Sequence, residues 1–207
     1  MKILLRGGKM DLVARVQNII LRPKEEWLKI KDEAVDIKTL FTSYAAILAA
    51  IPAIASFIGM SFIGRRIPFL GWYRMGIARG IVYAILSYIF SLAAVVIVGF
   101  VIKALAPTFN STPSLVQAMK VAVYSFTPAW VAGILDIIPA LSPLVILASL
   151  YGLYILYLGL AAPLLDTPRE KVIGYFIVSL VVTVVIMAIF SLILGGVFAV
   201  REMTAGF

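Results

Sequence analysis

Between Lys120 and Asp166 the chain runs for 45 residues with a single charged side chain, Asp136. As one straight helix that run would measure about 68 Å, more than twice the ~30 Å hydrocarbon core of a bilayer, so it has to fold back on itself. DIIPALSP is the natural turn, because Pro139 and Pro143 disfavour helix at the residues before them. The rest of the chain is as apolar: 63% of residues are hydrophobic and 14% charged, with a mean hydropathy of +1.08. Soluble domains hold about 45–50% apolar residues. The chain is therefore read as an integral membrane protein, and its spans as helices, since an open sheet leaves backbone groups unpaired in lipid.

Charges mark the borders of the spans. The expected fold is all-α, a membrane helical bundle of five transmembrane helices over about 39–63, 80–102, 117–136, 143–165 and 172–200, with an N-terminal amphipathic interfacial helix. A re-entrant hairpin in place of the third and fourth spans fits the same sequence. Residues 1–38 form a cytoplasmic amphipathic segment and 39–201 the membrane domain. Basic residues set the orientation. Thirteen lie on the side of the N-terminus, nine of them before the first span, against five on the other: Arg65, Arg66, Arg74, Arg79 and Arg201. The positive-inside rule then gives a multi-pass protein of the cell membrane with a cytoplasmic N-terminus and an outer C-terminus.

Cysteine and histidine are both absent. Disulfides are impossible, a transition-metal site would need carboxylates alone, and the usual proton shuttle near neutral pH is missing. Asp136 is the only acid between Lys38 and Asp166, so an aspartyl dyad within the spans has no second member. The chain is not expected to be an enzyme or to carry a cofactor or metal, and nucleic acid is not an expected partner.

The N-terminal segment divides by charge. Residues 1–24 carry six basic groups against Asp11, and residues 25–38 five acids against three lysines. Leu12, Val13, Val16, Ile19 and Ile20 recur at helical spacing with Arg15 assigned off the stripe, which reads as a helix on the anionic inner leaflet. Arg15, Arg22, Trp27 and Trp72 are the candidate membrane-interface side chains. The segment either caps the bundle or docks a protein partner, and a homo-oligomer is also open.

The candidate polar residues are Asp136, Lys120, Arg65, Arg66, Arg74 and Arg79. If Lys120 reaches the cytoplasmic interface, Asp136 lies roughly 24 Å further along a straight helix, just inside the outer one. There a carboxylate is the partner that four arginines on the unfavourable side need, so Asp136 is expected to pair with one of them. An ion or proton relay through Asp136 is the competing reading.

IILRPKEEW before the first span, YSFTPAWVAGILDIIPALSPLVILASLYGLYILYLGL across the third and fourth, TPREK, and VIGYFIVSL opening the last resemble the Yip family, named for eukaryotic members that interact with Ypt/Rab GTPases. The resemblance covers the whole chain and is most specific from the third span to the fifth. It implies five spans, a cytoplasmic N-terminus and a short outer C-terminus. Eukaryotic members have a longer cytoplasmic region with an Asp-Leu-Tyr-Gly-Pro motif; this chain lacks it and resembles the prokaryotic branch, so Rab binding is not carried over. Two function classes follow. One is a non-enzymatic scaffold or adaptor for membrane organisation or partner recruitment; the alternative is a small oligomeric transporter or channel, suggested by Asp136, Lys120 and the proline-interrupted spans.

Overall fold

The computed structural model describes residues 11–67, 71–161 and 164–204. Two short helices come first. α1 (Leu12–Leu21) is capped by the Asp11 carboxylate, which accepts from Ala14 N at 3.1 Å. Pro23 opens α2 (Pro23–Asp32), where a missing N–H costs nothing, with Glu25 and Glu26 in its first turn and Lys29 and Lys31 in its last, as the helix dipole favours. Both bury one stripe at i, i+3, i+4, i+7. In α1 the stripe is Leu12, Arg15, Val16 and Ile19, and in α2 it is Pro23, Glu26, Trp27 and Ile30. Arg15 thus lies on the inward stripe, and Val13, expected on it, is 63% exposed.

Five helices are long and apolar enough to cross a membrane: α3 (Ile37–Ile63), α4 (Ile77–Phe109), α5 (Leu115–Ile137), α6 (Pro139–Ala161) and α7, whose helix runs Arg169–Thr204. Asp36 caps α3 by accepting from Thr39 N at 3.2 Å. Two turns of α3, Phe41–Ala45 and Gly59–Ile63, are wound as π-helix, and Pro52 interrupts its hydrogen-bond ladder between them. A reciprocal capping box starts α5, with Gln117 N donating to Ser114 Oγ at 3.2 Å and Ser114 N to Gln117 Oε1 at 2.6 Å. The same helix breaks at Phe126, restarts at Thr127–Pro128 and tightens to 3₁₀ over Gly133–Ile137.

The loop after α3 holds a small antiparallel hairpin, β1 (Arg65–Ile67) with β2 (Gly71–Tyr73), pairing Arg65 with Tyr73 and Arg66 with Trp72. Gly64, at φ 78°, turns the chain out of α3 in a conformation that L side chains rarely adopt.

α5 is the centre of the bundle: 67% of its most apolar window is buried, against 12% for α7, which therefore lies at the edge. It packs on α3, α4 and α6, while α7 packs on α4 and α6. Ala118 and Ala122 of α5 are fully buried, and Gly133 meets α3 so closely that a Cβ there would run into the Pro52 ring. Without a hydrophobic drive between helices in lipid, such small residues permit the close approach on which dispersion depends. Stacked rings, Phe109 on Tyr175 at 4.9 Å and Phe90 on Phe190 at 5.1 Å, join α4 to α7.

Candidate functional site

The helical hairpin α1–α2 is seated in the end of the bundle where α3 and α5 begin and α6 ends. Tyr151 OH donates to the Ile20 carbonyl at 2.6 Å. Tyr151 lies ten residues before the end of α6, about 15 Å of helix, so α1 reaches to roughly half the depth of the span. The amphipathic stripe of α1 is satisfied by protein: Ile19 is fully buried, and Leu12, Val16 and Ile20 pack on the same core.

Polar groups gather where this hairpin meets α5. Arg15 Nη1 donates to Glu26 Oε1 at 2.6 Å, its other terminal nitrogen bonds Glu33 Oε1, and its guanidinium carbon stands 5.6 Å from the centre of the Tyr124 ring. Burial alone works against the charge. The hydrogen bond to Glu33 and the fields of Tyr124, Glu33 and Glu26 outweigh it, so the guanidinium is held above its ordinary pKa. Lys29 Nζ donates to the second Glu26 oxygen at 3.0 Å.

Lys120 completes the cluster from α5. Its Nζ donates to the Ile30 carbonyl at 2.8 Å and the Glu33 carbonyl at 2.7 Å. These groups close the C-terminal end of α2, where carbonyls lack intrahelical partners and the dipole is negative. A lysine of the third span thus caps a helix 90 residues away in sequence. Around the charges sits an aromatic layer: Tyr124 meets Trp27 edge-on at 6.0 Å and Tyr44 at 4.9 Å, and Tyr44 OH bonds Thr127 Oγ1 at 2.9 Å. The Trp27 indole lies on Gly159 of α6, where a Cβ would come within 2.8 Å of it.

Three of the sequence expectations change here. Trp27 is 1% exposed and Arg15 8%, so both candidate interface side chains pack against protein. The reason is that a bidentate partner pair for Arg15 and a glycine-floored slot for Trp27 exist only once the hairpin folds against α5 and α6. Lys120, expected at the cytoplasmic interface, is 3% exposed. Arg22 is exposed in the turn between α1 and α2, and Trp72 is 63% exposed on β2.

Asp136, at the far end of α5, accepts from Ser142 Oγ at 3.1 Å. Arg65 and Arg66 are exposed on β1, Arg74 is exposed with its Nε on the Ile63 carbonyl at 3.3 Å, and Arg79 is half-buried near the start of α4. Arg15 and Lys29 form ion pairs, and among the described residues none joins Asp136 to Arg65, Arg66 or Arg74. The 3₁₀ turn brings a hydroxyl six residues away onto the carboxylate. The tyrosines spaced by three on α6 are packing residues: Tyr151 holds α1, and Tyr157 meets Phe176 of α7 edge-on at 5.7 Å. Sequence reasoning missed Glu26, Glu33 and Tyr124 altogether. The signal for Glu26 was present, since it shares the buried stripe of α2 with Trp27 and Ile30.

The cluster offers three cations and two carboxylates already engaged with one another. Among the described residues no group of three or more His, Cys, Asp or Glu side chains could hold a metal ion. Its arrangement fastens helices together.

Comparison with known proteins agrees with this architecture. The Yip1 domain model matches residues 18–193, from the second half of α1 into α7, and so includes Glu26, Glu33 and Lys120. The inner membrane protein YohC of Escherichia coli (strain K12) is 30% identical over 189 residues, 86% of this chain and 92% of that protein. YohC of Escherichia coli O6:H1 gives the same identity and coverage. No solved structure matches the chain significantly. With the family domain extending over most of its length and five apolar helices behind it, this chain belongs to the Yip1 domain family of membrane proteins.

Proposed function

We propose that the protein is a non-enzymatic scaffold or adaptor of the cell membrane, whose α1–α2 hairpin forms a fixed cytoplasmic cap and presents one face to a partner. The observation that carries this reading is the buried cluster of Arg15, Glu26, Glu33 and Lys120, which fastens the hairpin to α5. A recognition surface gains affinity when it is already ordered before binding. The outward side of the cap carries Arg22, Lys24, Glu25, Leu28, Lys29, Lys31 and Asp32. Its basic members suit anionic lipid headgroups and its mixed charges a protein. The E. coli relatives are named as inner membrane proteins, and the basic bias at the N-terminus supports a cytoplasmic cap. The transport reading rested on Lys120, Asp136 and the proline-interrupted third and fourth spans; of these, Lys120 and Asp136 are engaged in helix-end contacts.

Site-specific photocrosslinking in cells, from a reactive residue in place of Lys24 or Leu28 of the full chain, tests the proposal. A discrete protein adduct that disappears when Arg15→Met frees the cap is the expected result. Adducts to lipid alone from both positions, together with solute flux through the purified protein in liposomes, would reverse it in favour of the transporter.

A further inference from the structure

A second feature lies away from the charge cluster. A cavity of 420 Å³, partly open, is enclosed by α4, α5, α6 and α7 and reaches Pro52 of α3. Its volume is within the range of small-molecule sites, about 300–1,000 Å³. Ser91, on its wall, is 14 residues from the start of α4, roughly 21 Å of helix, which sets the cavity near mid-depth in the span. Only a lipid-soluble molecule reaches such a site laterally.

The lining is apolar except for hydroxyls, and no charged side chain takes part. The hydroxyls are not equivalent. Ser87, Ser125, Ser149 and Thr183 each donate their one proton to a backbone carbonyl of their own helix, at 2.9, 2.6, 2.8 and 2.8 Å. Each therefore keeps only acceptor lone pairs for a ligand. Ser91 is the opposite case. Trp130 Nε1 donates to its Oγ at 2.9 Å, and its own O–H proton has no acceptor among the described residues. Ser191, the sixth hydroxyl of the lining, makes no hydrogen bond among the described residues. The cavity thus presents four hydroxyls that can only accept and two, Ser91 and Ser191, that keep a proton to donate, without a counter-charge.

That complement selects a ligand class. A carboxylate or phosphate would face four oxygen acceptors with two hydroxyl donors and no cation, and an ammonium would be desolvated without an anion. An ester or ketone only accepts, so it could use only Ser91 and Ser191. An alcohol accepts from Ser91 and donates to one of the four acceptors, which uses both kinds of group. We propose that the cavity binds an uncharged long-chain or isoprenoid alcohol, its hydroxyl between Ser91 and the facing hydroxyls and its chain along the apolar wall.

The test uses the purified full chain in phospholipid liposomes, a diazirine-bearing hexadecanol, and mass spectrometry of the labelled peptides. Saturable labelling around Ser91, Trp130 and Ser149 is expected, displaced by unlabelled hexadecanol and needing at least ten times as much of its methyl ether. Ser91→Ala should raise the half-saturating alcohol concentration about ten-fold and leave that of the ether unchanged. Ser149→Phe, which fills the cleft from an exposed helix position, should cut labelling at least ten-fold while the protein still elutes as the folded species. Equal competition by alcohol and ether overturns the proposal, since the cavity would then be a plain groove for apolar chains. So does equal labelling by a diazirine-bearing phospholipid acyl chain, or labelling spread evenly over the outer faces of α4 and α7.

Discussion

Arg15 meets two carboxylates and an aromatic face at once, so its removal strands Glu26, 3% exposed, with Lys29 as its remaining cation. Breaking a buried pair from one side costs about 3–5 kcal/mol, much of it the penalty of leaving a charge uncompensated. Arg15→Met should therefore lower unfolding stability in detergent by that amount, and combining it with Glu26→Gln should cost clearly less than the sum of the two. Additive losses in a denaturant titration would show that the cluster is not one coupled unit. Asp136 gives the contrasting case. Its partner is a hydroxyl, which an amide oxygen accepts from equally well, so Asp136→Asn should change stability by no more than about 1 kcal/mol. A loss above about 3 kcal/mol that shrinks on neutralising a first-loop arginine would restore the ion pair in place of Ser142. The sequence marked Asp136 as the anomalous charge, yet the deeply buried charges are Arg15, Glu26 and Lys120, because a charge that looks ordinary in a polar segment is buried only by tertiary docking.

At the scale of elements, the α1–α2 hairpin depends on the slot over Gly159, where an added Cβ would come within 2.8 Å of the Trp27 ring. Gly159→Leu should dislodge the hairpin and leave the five spans in place, seen as lost hydrogen-exchange protection over 27–30 without loss of overall helicity. Gly76→Ala is the matched control, since a Cβ there meets nothing within 4 Å. Unchanged protection in Gly159→Leu would mean that the ionic cluster alone holds the cap. The start of α3 responds to acid. Hydrogen bonds from Thr39 hold the Asp36 carboxyl below its ordinary pKa, so the cap contributes fully above the usual carboxylate range and is lost as pH falls through the lowered value. Amide exchange at Thr39 should quicken on acidification, and Asp36→Asn should abolish that pH dependence while keeping the cap. Exchange that is flat with pH in the parent protein contradicts the assignment. Helix starts of this kind were legible, since Asp11, Asp36 and Ser114 all stand where capping rules place them. The π turns, the break at Phe126 and the short local β1–β2 hairpin were not anticipated.

For the whole molecule, if all five apolar helices cross, the two ends lie on opposite sides of the membrane. Reporter fusions after Met10 and at Phe207 should give opposite activity patterns, with the first cytoplasmic if the basic bias decides the orientation; activity on one side for both refutes five crossings. The sequence alone determined the class of the fold and the number of apolar helices, because the cost of charge and unpaired backbone in hydrocarbon is paid locally, residue by residue, and is written as charge-free runs. It also marked the amphipathic N-terminal stripe through its period. What that stripe faces was decided by tertiary structure. Lipid and a protein groove are equally apolar to Ile19, and only Glu26 and Glu33, brought round by the folded hairpin, with Tyr124 from the distant α5 make the inside of the bundle the better place for Arg15. The same holds for the hydroxyl-lined cavity: each serine is an ordinary helix residue in sequence, and only when α4, α5, α6 and α7 close do these hydroxyls share one space and Trp130 of α5 reach Ser91 of α4.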